Sequence, residues 1–387
     1  MDPIYLDHAA TTPVRGEVLE AMLPFLGERF GNPSSMHRWG RDARVALDEA
    51  RERVATCLGA HVDEIIFTSC GTEGDNLAVL GAWRTQRASA AGRNAVAVTP
   101  IEHKAVLAAA HQAEAEGAEL RLLPVSCEGV VDMDAVRAAM DDSLAICSVM
   151  WINNEIGTVQ PVPEIAELAR ESGVLFHTDA VQALGKVEID VGRLPVSMLA
   201  VSGHKIGAPK GIGALFIRRG TTMQPLFFGG GQDRGRRPGT ENVAYAVGFA
   251  TAVELAVAER EEECRRLRDF RERLELAIMQ QVPDAVIHGS GADRAPHIIN
   301  VSVPGCDAES LLMALDLRGV AASAGSACQS GAASVSHVLS ALGVGADEAM
   351  SALRLSLGSL TTDDHVTRVS ELLPALVHKA RGSAAVA

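Results

Sequence analysis

The chain has 387 residues, 47% of them apolar, which supplies a sizeable core and excludes a disordered chain, and its formal net charge of -14 argues against a broad nucleic-acid surface. Its seven cysteines (Cys57, Cys70, Cys127, Cys147, Cys264, Cys306 and Cys328) are odd in number and form no CxxC pair, so neither a disulfide framework nor a zinc ribbon is expected. No signal peptide and no membrane span is expected either, and a reducing cytoplasm is the simplest compartment.

In chain order, residues 4–6 read as a short strand or extended arm, and 7–13 as turn formers. A helix over 14–27 follows from Val18, Leu19, Met22, Leu23 and Leu26, which share one face. Asn32 precedes Pro33 and reads as turn chemistry; Ser34 or Ser35 then caps a helix over about 37–58. Residues 64–68 read as a strand, 69–73 as a glycine turn and 75–84 as a helix. That order makes a ready anion site, because the first helical N–H groups have no internal partner, although an ordinary helix cap reads the same way. Strands are expected at 95–99, 120–125 and 145–150, with helices at 133–140 and 165–170. His103 and Asn154 follow two of these strands and read on their own as loop residues.

Two further apolar runs, 174–178 and 196–201, lead directly into Asp179 and into Ser202-Gly203-His204-Lys205. A lysine at the end of a buried strand is desolvated, and its neutral amine forms imines with carbonyls. Pyridoxal phosphate needs such a lysine and an acidic partner for its pyridine nitrogen, for which Asp179 is the candidate. The alternation of strands and helices over 64–218 indicates an α/β fold, a mostly parallel central sheet covered by helices on both faces. Beyond it, three glycines and three arginines crowd the loop 229–242, which reads as a solvated basic patch, an anion site or a segment reaching a second subunit. One long helix is expected over 243–281, then a smaller α+β lobe with a strand at 298–303 and helices at 307–317 and 363–379. Residues 321–334 are nearly all small and are expected to form a mobile, exposed loop in which Cys328 is accessible and reactive. Arg354 offers a fork that matches a carboxylate.

The wording His177-Thr-Asp-Ala-Val-Gln182, then Ser-Gly-His-Lys205, then Gly-Ser-Ala-Cys328, resembles the NifS/IscS-type cysteine desulfurases of the class V aminotransferase family, in their longer-loop group, over nearly the whole chain. The resemblance implies the PLP-dependent transferase fold of type I. It implies a large cofactor-binding domain over 13–263 and a small domain of 1–12 and 264–387 carrying the cysteine loop. It places the cofactor phosphate at Gly71, Thr72, Ser202, His204 and, across a homodimer interface, Thr240. His103 lies on the pyridine ring, Gln182 and Asn154 at the phenolic oxygen, and Arg354, Asn32 and Asn154 at the substrate carboxylate. The implied reaction takes L-cysteine to L-alanine, with Lys205 moving protons, His103 assisting, and sulfur passing as a persulfide on Cys328 to an acceptor protein. That acceptor belongs to iron–sulfur cluster assembly or another thiolation pathway. A selenocysteine lyase or another class V enzyme is the alternative, and a non-catalytic sulfur-transfer platform a third. Gln329 and the run Ala332-Ala-Ser-Val depart from the usual continuation of the loop, which leaves the acceptor open. No metal site is expected.

Overall fold

The computed structural model describes residues 2–89, 92–324 and 335–384. The chain enters on β1 (Ile4–Tyr5) and then builds a seven-stranded sheet. Its strands are β2 (Ile65–Thr68), β3 (Ala95–Val98), β4 (Glu119–Leu122), β5 (Leu144–Ser148), β6 (Leu175–Asp179), β7 (Met198–Ser202) and β8 (Gly213–Ile217). They lie in the order β2-β8-β7-β6-β5-β3-β4. The run from β7 to β4 is parallel, and β8 is antiparallel to both of its neighbours. Every residue of β2, β3, β5, β7 and β8 is buried, as expected for strands covered on both faces. The edge strand β4 is the least buried, with Glu119 exposed and Arg121 half-buried, charges of the kind that protect an unpaired edge.

Alternate residues divide between two cores. Phe67, Ala97, Cys147, Phe176, Leu199, Val201 and Phe216 face one, and Ile66, Val96, Val98, Ile146, Met198, Ala200 and Ile217 the other. On the first face, helices Gly16–Leu26 and Arg38–Leu58 pack on helix Val243–Ala258. The approach is close enough to require a glycine: a Cβ on Gly248 would lie 2.5 Å from the Met22 side chain. The single helix expected over 243–281 is two, Val243–Ala258 and Arg260–Gln281, because Glu259 (φ -89, ψ -4) leaves helical geometry. The break falls where the sequence changes from apolar to charged, so the first helix stays buried and the second turns toward another core.

That core gathers Ile4 and Leu6 with Leu267, Phe270, Leu274, Leu311, Leu353, Leu355 and Val369. Its sheet comprises β9 (Val286–Ile287), β10 (Ile298–Ser302), β12 (Ser323–Ala324) and β13 (Ala352–Ser356), while β11 (Val320–Ala321) pairs in parallel with β1. The small-residue run expected to be loop from 321 thus begins in β11 and β12, and Cys328 lies outside the described residues. Among the described residues no helix is long and apolar enough to cross a membrane.

Candidate active site

β6 and β7 are parallel neighbours, and they end on Asp179 and Ser202 at the same edge of the sheet. Clefts in such sheets open at the carboxyl ends of the strands. After β7 the backbone folds into the tight turn Gly203–Lys205, where a Cβ on Gly203 would lie 2.9 Å from that of Ala208. The turn aims Lys205 back over the strand ends. Its Nζ donates to the carbonyls of Ala9 (2.6 Å) and Ala10 (2.7 Å).

Those carbonyls belong to the arm after β1, which crosses the mouth of the cleft. Tyr5 donates its hydroxyl to the carbonyls of Asp7 and Thr11, both at 3.0 Å. Thr12 donates its hydroxyl to the His204 carbonyl at 2.9 Å. Nothing in the local sequence announced this contact, because residues 9 and 10 are alanines and act through the backbone.

A cavity of about 300 Å³ lies under the arm, lined by Gly71, Thr72, Asp75, His103, Asn154, Asp179, Gln182, Ser202, His204, Lys205, His337 and Arg354 among others. A larger cavity of about 440 Å³ lies on the far side of Lys205 and Gln182, lined by Lys186, His297 and Arg266, but the residues with chemistry to offer converge on the smaller one. Asp179 is buried and accepts from the Val181 N–H at 2.8 Å. Burial raises its pKa, against the attraction of His103 and Lys205. His103 caps the helix Lys104–Ala115 by accepting from the Ala105 N–H at 3.2 Å. Burial, with Lys205 and Lys104 nearby, lowers its pKa although Asp179 raises it, so the imidazole is neutral near neutral pH. Burial and Lys205 bring His204 down to about 4.

Gln182 donates to the Ala9 carbonyl at 3.0 Å. Arg354, buried in β13, donates to the Asn154 carbonyl at 3.0 Å and to Asp7 at 2.9 Å, while its Nε has no partner. Glu155, which sequence reasoning passed over, accepts from the Ser336 hydroxyl, and burial pushes it up to about 7.

The cavity fits a phosphorylated pyridine. The Ser202 hydroxyl is buried without a partner beside Gly71. A Cβ on Gly71 would fall 2.7 Å from Val181, so that cradle tolerates only glycine. The expected helix from 75 in fact begins at Gly71, which brings the N–H groups of the turn to the cavity. Two residues expected near the cofactor or substrate are elsewhere in this single chain. Asn32 is exposed and accepts from the Ser34 N–H at 2.9 Å, the turn chemistry of its local sequence. Thr240 is exposed on the loop ahead of helix Val243–Ala258.

Residues 4–369 match the family described as Aminotransferase class-V. The chain is 44% identical to "Cysteine desulfurase IscS" of Dictyoglomus turgidum over 378 residues, 98% of this chain and 95% of that protein. It is 43% identical to "Cysteine desulfurase NifS" of Azotobacter vinelandii over 382 residues, 98% and 94% of the two. A solved structure titled "NIFS-LIKE PROTEIN" superposes with a TM-score of 0.91 at 34% identity, covering 97% of this chain and all (100%) of that one.

Proposed function

The chain belongs to the aminotransferase class-V family, and within it we propose that it is a pyridoxal-phosphate-dependent cysteine desulfurase that takes sulfur from L-cysteine and leaves L-alanine. The observation that carries this is the convergence of Lys205, Asp179 and Arg354, from the turn after β7, the end of β6 and the middle of β13, on one cavity with a glycine and serine cradle. Bound pyridoxal phosphate supplies a carbonyl for amines and a ring that takes up electrons.

The protein's own groups do the rest. Gly71, Thr72, Ser202 and His204 hold the phosphate, and Asp179 holds the pyridine nitrogen. Gln182 and Asn154 reach the phenolic oxygen. Arg354 exchanges its bond to Asp7 for the substrate carboxylate, a bidentate match. Lys205 would hold the cofactor carbonyl through its amine and, as a free amine, would remove the α-proton, with the two alanine carbonyls of the arm to keep it in place. The thiolate of Cys328 attacks the substrate sulfur. The new S–S bond forms as the substrate C–S bond breaks, and the electron pair left on carbon is protonated to give alanine. His103, neutral and at the cavity wall, relays protons at that step. The expected consequence is an acid limb of kcat/KM below the ordinary histidine value, since lowering the pH through the depressed pKa of His103 protonates it. A limb at or above that value would assign the titration to another group.

The homodimer is part of the same reading. Leu19, Leu23, Leu26, Phe30, Met36, Trp39 and Phe228 are exposed, with Met36 at 90% and Phe228 at 89%, and a second copy of the chain is the natural cover. Thr240 and Asn32 would then meet the partner's site. The sulfur acceptor is a protein of iron–sulfur assembly or another thiolation pathway in the cytoplasm. The test is to incubate the cofactor-loaded protein with L-cysteine and no reductant, then digest it and weigh the peptides. One equivalent of alanine and a gain of one sulfur atom on the Cys328 peptide are expected. Alanine without that gain, or the gain on another cysteine, would refute the route through Cys328.

A further inference from the structure

In the wall of the same cavity lies a buried group that the reaction above does not use. Asp75, in the helix turn Gly71–Asn76, is 1% exposed, and its Oδ1 has no hydrogen-bond partner. One ligand atom each from Asp75, His103 and Asp179 lie within 4.8 Å of one another. On the other side, 3.7 Å from the same Oδ1, is His177 Nε2, also buried and also without a partner. His177 Nδ1 is 2.8 Å from the Ser148 hydroxyl. The groups facing Asp75 are thus Asp179 and His177 from β6, Glu102 and His103 from the end of β3, and Cys70 from its own turn.

None of these supplies a cation to Asp75. Burial holds His177 down to about 3, so it is neutral; burial likewise pushes Glu102 up to about 8, so it is largely protonated near neutral pH, and the charge of Asp179 pushes Asp75 toward its protonated form. Two carboxylates this close in a dry site do not both ionise. The environment also decides which one keeps the charge. Asp179 accepts a backbone N–H and is drawn toward ionisation by Lys205; Asp75 has neither kind of help.

We propose that Asp75 is a positioning residue: a neutral carboxylic acid that holds the proton at this end of the cavity, so that Asp179 meets the pyridine nitrogen as the single negative charge. Its O–H is turned toward Asp179, while His177 Nε2, 3.7 Å from Oδ1, lies beyond direct hydrogen-bond reach. This rests on the reading that Asp179 faces the pyridine ring.

The test compares Asp75→Asn and Asp75→Ala with the parent, all loaded with pyridoxal phosphate. The readout is the pH midpoint of the visible absorption of the bound cofactor. Asparagine is also neutral and also donates, so D75N is expected to keep the parent's midpoint. D75A is expected to move it by about one pH unit, because the Asp179 carboxylate loses a donor that favours its charged form. A D75N midpoint displaced as far as that of D75A would mean that the carboxylate charge is needed, and unchanged midpoints in both would mean that Asp75 positions nothing; either result overturns the proposal. Should D75A not fold, infrared difference spectra of parent minus D75N decide: a protonated carboxyl band supports it and a carboxylate band sinks it. A parent protein that shows no visible band at all would instead fail the reading of Asp179, and this proposal with it.

Discussion

Lys205→Ala is expected to lower kcat for L-cysteine by about 10³-fold, within the range for losing a positioned general base. Two functions of one amine disappear together. The side chain no longer forms the imine with the cofactor carbonyl, and nothing else on the cavity wall is placed to take the α-proton. The remaining amine nearby, Lys104, begins the helix that His103 caps and points its chemistry from the other wall. The loss is also structural to a small degree. The Ala9 and Ala10 carbonyls each lose a donor at 2.6 and 2.7 Å, although Gln182 still donates to Ala9. Unpaired acceptors of this kind cost about 1–3 kcal/mol where water cannot reach them. Borohydride treatment followed by mass measurement checks the first function: the parent should retain the cofactor covalently and K205A should not. Addition of a small primary amine should restore part of the proton transfer. Activity within tenfold of the parent, or cofactor still fixed by borohydride, would remove Lys205 from the mechanism.

Cys328→Ala is expected to lower alanine formation on the order of 10⁴-fold, as removal of an enzyme's nucleophile does. The effect should be selective. The roles proposed for binding and deprotonating L-cysteine fall to Arg354 and Lys205 at the cavity, so the spectral change on adding L-cysteine should survive in C328A. The other cysteines are poor substitutes. Cys147 is fully buried and its thiol is pushed far up by desolvation, and burial also raises Cys57 and Cys264. Alanine and sulfide measured together in parent and mutant decide the point. Equal rates in both would favour a lyase that needs no enzyme thiol.

Lys205 and Asp179 were legible because each follows an apolar run, and a buried strand that ends in a charged residue marks the carboxyl edge of a sheet. The turn at Gly71 was legible in type and misplaced by four residues at the helix start, since the helix opens on the glycine itself. Arg354 was legible only through the wording around it. Asp75 was invisible: it reads as an ordinary acid in the first turn of a helix, and only the packing of that turn against β7, β8 and the helix Lys104–Ala115 buries it beside Asp179 and His177. Glu155 and His337 were passed over for the same reason.

The sequence by itself determined the alternation of strands and helices, the lysine and the aspartate that follow buried strands, and the small-residue run that holds Cys328, because periodicity and residue type are local properties. Only the tertiary structure decided where the arm after β1 lies, which places the Ala9 carbonyl on an amine 196 residues away and Asp7 on an arginine 347 residues away. It also decided that Asp75 is buried beside Asp179 and His177. Both depend on what surrounds a group in space, and burial and partners at such separations are written in no short stretch of chain.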